Sequence, residues 1–120
     1  MNTDEAREQL EKAVEAVRSA TGEDWETVVD PGVLGCSKTH GRWATTWEGT
    51  PTASRDVAFR DVEAALRAEG FVTSVNGPKT TSPVLLAHTG DGFDLAFSQP
   101  VEGGPIGLNV GSECFPEGER

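Results

Sequence analysis

Long apolar runs, surplus positive charge and recognisable catalytic signatures are all missing from this 120-residue chain. No stretch of about 18 apolar residues occurs, so no segment is suited to cross a membrane as a helix. Ten Lys and Arg stand against twenty Asp and Glu, a formal charge of −10. A polyanion has to be met by clustered Lys or Arg, so nucleic acid and anionic lipid surfaces are excluded as expected partners. The opening residues, MNTDEAREQL, have neither the basic nor the apolar segment of a signal peptide. Two situations fit that start: a cytoplasmic protein, or a mature domain whose export signal lies upstream.

Metal-binding and nucleophile motifs are equally scarce. The chain has two cysteines, Cys36 and Cys114, and two histidines, His40 and His88. Together they could supply four ligands, but structural zinc sites present paired knuckles such as C-x2-C, and neither half here has that form. No G-x-S-x-G, G-x-G-x-x-G or phosphate loop is present. The segment TGDGFD, with Asp91 and Asp94, is too short for a calcium loop and reads as a hairpin turn. The expectation is no metal, no cofactor and no catalytic residue, hence no enzyme. An enzyme using His40 or His88 with Asp91 or Asp94 is kept as a minor reading.

What is present is the pattern of one folded domain spanning residues 1–120, with an ordered core over about 3–115 and a frayed tail from 116. A chain of this length buries roughly two-thirds of its unfolded surface, enough for a single core. Ala6, Leu10, Ala13, Val14 and Val17 recur at helical spacing, with Thr3 as the expected N-cap, a Glu8 to Lys12 pair and Gly22 as terminator. DPGVLG, with Pro31, Gly32 and Gly35, reads as an irregular loop. In RWATTWEG, Trp43, Thr45 and Trp47 alternate with Arg42, Ala44 and Thr46, the period of a strand. A second helix is expected over about 53–69, capped by Ser54 or Thr52.

FVTSV, PVLLAHT, FDLAFSQ and IGLNVGSEC then read as strands, with turns at Gly90 to Gly92 and at VEGGP. In the last of them Ile106, Leu108 and Val110 alternate against Gly107, Asn109 and Gly111. The expected fold is α+β, a mostly antiparallel sheet of four to five strands with two helices packed on one face.

Two features bear on function. Trp43, Trp47, Arg42 and Trp25 form the candidate binding patch, because tryptophan anchors interfaces as well as cores, and the polar Thr45 between two of them suggests a partly covered face. Cys36 and Cys114 lie at strand ends and meet as a disulfide if those strands are neighbours, the alternative being two buried free thiols in a reducing compartment. A bridge would leave Cys36 unable to act as a nucleophile beside His40.

An acidic N-terminal helix, a Trp, LGC before a Thr-containing strand, an Ala-rich helix ending LRAEGF, a GDGFDLAF hairpin and a terminal GSEC succeed one another over residues 4–115. This layout resembles the actinobacterial LppA-like lipoproteins and related small secreted domains. The resemblance implies a Cys36 to Cys114 pair, and an export signal with a lipidated cysteine upstream. The expected function is therefore a non-enzymatic exported or cell-envelope domain that binds a protein or envelope partner, located outside the cytoplasm. The alternative is a cytoplasmic acidic immunity protein that masks a basic toxin or nuclease, its charge speeding association.

Overall fold

The computed structural model describes residues 2–21, 24–50, 54–76, 84–89, 92–100 and 104–116. The chain runs α1 (Thr3–Thr21), β1 (Asp24–Gly35), β2 (His40–Thr50), α2 (Arg55–Ala68), β3 (Val72–Asn76), β4 (Val84–His88), β5 (Asp94–Ser98), β6 (Ile106–Gly111) and β7 (Phe115–Pro116).

Helix α1 buries Ala6, Leu10, Ala13, Val14 and Val17, the stripe its periodicity marks. Its cap lies one residue earlier than expected. Asn2 Oδ1 accepts the Glu5 N–H at 2.8 Å and Glu5 Oε1 accepts the Asn2 N–H at 3.2 Å, a reciprocal capping box that leaves Thr3 inside the first turn. Glu8 does not pair with Lys12. Arg7 pairs with Glu11 at 2.9 Å instead, and Lys12 reaches Glu69 at the end of α2 at 3.1 Å.

Helix α2 is capped by the Ser54 side chain, which accepts the Val57 N–H at 3.4 Å; Thr52 lies outside the described residues. The helix closes with two crossed bonds, Gly70 N–H to the Arg67 carbonyl at 3.0 Å and Phe71 N–H to the Leu66 carbonyl at 3.1 Å. This closure puts the Gly70 φ at +92°, a left-handed value that glycine accepts without a Cβ penalty.

The fold is α+β, and its antiparallel sheet has seven strands, more than the four to five expected. Six lie in the order β1-β2-β6-β5-β4-β3, and β7 pairs with β2 beyond the end of β6. The two additional strands are β1 and β7. Pro31 and Gly32 do not break β1, because it is an edge strand whose outer side needs no N–H from proline. The register slips between Thr27 and Val29 and again between Val29 and Gly32, two irregularities that absorb the Asp30-Pro31 segment. Pairing also continues further towards the C-terminus than expected. Phe115 is buried at 2% exposure, and Pro116 pairs with His40. The expected turn positions Gly90, Asp91 and 101–103, and the terminator Gly22, lie outside the described residues.

Leu85 and Ala87 of β4, Leu95 and Phe97 of β5, and Ile106, Leu108 and Val110 of β6 form one core with the buried stripes of both helices. The alternate residues of the same strands, among them His88, Asp94 and Asn109, lie on the opposite, open face.

Candidate functional site

The four residues of the candidate patch are divided between the two faces of the sheet. Trp43 and Trp47 lie beneath α1. The Trp43 indole N–H donates to the Thr3 carbonyl at 3.0 Å, with the Arg7 guanidinium 5.0 Å from the ring centroid. Arg18 stands 5.3 Å from the Trp47 ring. The spacings match. Arg7 and Arg18 are about 16 Å apart along a helix, and Trp43 and Trp47 about 13 Å apart along a strand, so α1 lies along β2 with one cation over each indole.

Trp25 packs against the edge of the same core, 6.4 Å from the Phe97 ring, and its indole N–H donates to Thr21 Oγ1 at 3.0 Å. It lies across Gly49, where an added Cβ would come within 2.9 Å of the Trp25 ring. Arg42 is on the open face. Its guanidinium crosses Gly111 and donates to Asp94 Oδ2 at 2.8 Å.

Thr45 is 3% exposed, so its polarity does not mark an uncovered face. The register slip between Val29 and Gly32 leaves Thr45 without a Cα partner on β1, and its hydroxyl donates to the Val29 carbonyl at 2.8 Å. A polar side chain is accommodated at this buried position because its hydroxyl has the Val29 carbonyl as partner.

GCSKTH is the turn between β1 and β2. The His40 carbonyl closes it by accepting the Cys36 N–H at 2.9 Å and the Ser37 N–H at 3.2 Å, and the His40 Nδ1 lies 2.8 Å from Thr39 Oγ1. Cys36 is bonded to Cys114, 78 positions further along the sequence, with Cα atoms 6.3 Å apart. The bridge joins this turn to the β6–β7 connection, so neither sulfur is available as a thiolate ligand or nucleophile. It also indicates a non-reducing environment.

Residues around Cys114 that carry no sequence signal hold that connection in place. Gln9 Nε2 donates to Glu113 Oε2 at 2.7 Å while Gln9 Oε1 accepts the Glu113 N–H at 3.1 Å. The Ser112 hydroxyl accepts the Trp43 N–H at 2.9 Å.

His88 is exposed on the open face, directly across from Asp94 in the β4–β5 register. The Asp94 carboxylate is engaged by Arg42, and Asp91 lies outside the described residues. No cluster of three or more metal-ligating side chains occurs among the described residues, and no described helix is long and apolar enough to cross a membrane.

Of the exposed large apolar side chains among the described residues, four are on β1, and Val72, Val75 and Leu86 are on β3 and β4. Val28 is 60% exposed, Val29 56%, Val33 38% and Leu34 60%, and among the described residues β1 has no neighbour on its outer side. Beside Val28 is an open hollow of about 390 Å³ that includes Glu48, Pro100, Pro105 and Gly107. None of the four apolar residues stands out in the sequence. VV and VL occur as adjacent pairs flanking Pro31-Gly32, so they show neither strand alternation nor helical spacing. A usable signal was the pairing itself, since adjacent apolar residues in a strand face opposite sides of the sheet.

No protein-family model, curated protein or solved structure matches this chain.

Proposed function

We propose that this chain is a non-catalytic, exported or cell-envelope domain of the lipoprotein-like kind, and that it binds a protein partner along β1. The observation that carries the reading is the exposure of Val28, Val29, Val33 and Leu34 on one free strand edge. Val33 lies across from Trp43 and Leu34 across from Arg42, so the strand exposes apolar side chains on both sides; a chain added along it would cover them while its main chain pairs with the free edge.

The disulfide supports the compartment. A cytoplasmic immunity protein would sit in a reducing milieu in which the Cys36–Cys114 bridge is not expected to persist. Trp43 and Trp47 pack under α1 and Trp25 packs beside the core, and Trp47 also lines the hollow beside Val28, so the tryptophans adjoin the edge along which a partner would bind.

A photo-activated crosslinking side chain at Leu34, introduced in the native host, tests the reading against the same probe at the exposed Ala64 of α2. A discrete protein adduct is expected from position 34 and none from 64. Equal labelling from both positions, or none from either, contradicts it.

A further inference from the structure

The β1 edge also carries charge. Glu26 and Glu48 stand directly opposite one another in the β1–β2 register, both exposed. Like charges facing across a strand pair destabilise it, and among the described residues neither carboxylate meets a cation. Asp30 adds a third exposed acid on the same strand. At the other end of the edge, Leu34 pairs with Arg42, whose charge is neutralised by Asp94. The edge is therefore acidic around Glu26 and Glu48, and apolar around Val33 and Leu34.

These features discriminate among occupants. The exposed acids keep a strand edge from pairing with copies of itself, whereas Pro31 and the two register slips interrupt pairing with any strand and leave main-chain addition to the stretches on either side of them. A second copy would bring further acidic residues to an edge that already holds uncompensated carboxylates, on a molecule of formal charge −10. A basic segment reverses the sign of that interaction. The hollow beside Val28 is lined by Trp47, Pro100, Pro105 and Ile106 together with Glu48. That combination suits a Lys or Arg side chain, whose methylene stem covers apolar surface while its charged end stays at the carboxylates.

Resting on the reading of β1 as the binding edge, we infer that the partner presents an extended segment in which basic side chains meet Glu26 and Glu48 and apolar ones meet Val33 and Leu34. The recognition is strand addition at an edge, with charge choosing the partner and excluding self-pairing.

The test uses two short synthetic peptides, one alternating lysine with valine and the other alternating glutamate with valine, titrated into the disulfide-bonded protein and followed by backbone amide NMR. The lysine peptide is expected to shift amides of residues 26–34. The double variant Glu26→Lys/Glu48→Lys should bind it at least tenfold more weakly and should gain binding of the glutamate peptide. An unchanged spectrum of the variant away from the substituted strands verifies its fold. Failure of the lysine peptide to perturb β1, or equal affinity for the charge-reversed protein, overturns the inference. If that happens while the Leu34 crosslink still forms, the edge binds an uncharged segment and only the charge assignment falls. If both fail, the binding reading falls with it.

Discussion

Replacing both Cys36 and Cys114 by serine is expected to lower the melting temperature by about 15 °C, with the folded sheet still recognisable by circular dichroism at room temperature. The bridge spans 78 positions, a closure for which chain entropy gives roughly 4.5 kcal/mol. In a domain of this length each kcal/mol moves the midpoint by about 3–5 °C. The size follows from what the bridge joins. Without it, the β1–β2 turn is tied to the C-terminal segment, among the described residues, by the short β2–β7 pairing and the bonds between Trp43 and Ser112. The loss should be reproduced by reductant on the unaltered chain. A shift of less than about 3 °C would mean that the bridge does little to restrain the unfolded chain.

Phe97→Ala is expected to cost about 3–5 kcal/mol, as large an effect as losing the bridge but with a different origin. Phe97 is fully buried, meets Phe59 edge-on with centroids 5.3 Å apart and lies 6.4 Å from Trp25. It links α2, the sheet and the start of β1 in one contact set. The vacancy cannot close easily, because its neighbours on either side, Leu85 of β4 and Leu108 of β6, belong to strands fixed in register. Urea unfolding measures the loss, and an unchanged slope with a lower midpoint would identify it as lost native packing. A cost below about 1 kcal/mol would mean that the core repacks around position 97.

The helices and strands β4 to β6 were legible because each has a single periodicity and a single buried face. Ile106, Leu108 and Val110 alternate with Gly107, Asn109 and Gly111 in the sequence, and in β6 the first three are buried. Strand β1 was hidden for a physical reason. An edge strand can accept Pro31 and two register slips, so the residues that normally signal a loop are tolerated inside it. Thr45 misleads for a related reason. Its hydroxyl answers a carbonyl left by a slip in another strand, and no local pattern around residue 45 contains that information.

The candidate site was legible only in part. Strand parity correctly put Trp43 and Trp47 on one face and Arg42 on the other, but it could not show that α1 would lie along the tryptophan face with Arg7 and Arg18 over the rings. The positions left uncovered, Val28, Val29, Val33 and Leu34, depend on which strand ends the sheet. Strand order is set by long-range pairing such as β2 with β6, not by neighbours in sequence.

Compartment and stability both depend on the Cys36–Cys114 bond existing in the protein as the cell holds it. The direct measurement is alkylation of freshly collected native protein, quenched in acid and labelled under denaturing conditions with and without reductant, followed by intact mass. The account predicts no label without reductant and two labels after reduction. Two labels without reductant would place the protein in a reducing compartment and contradict the proposal of an exported binding domain.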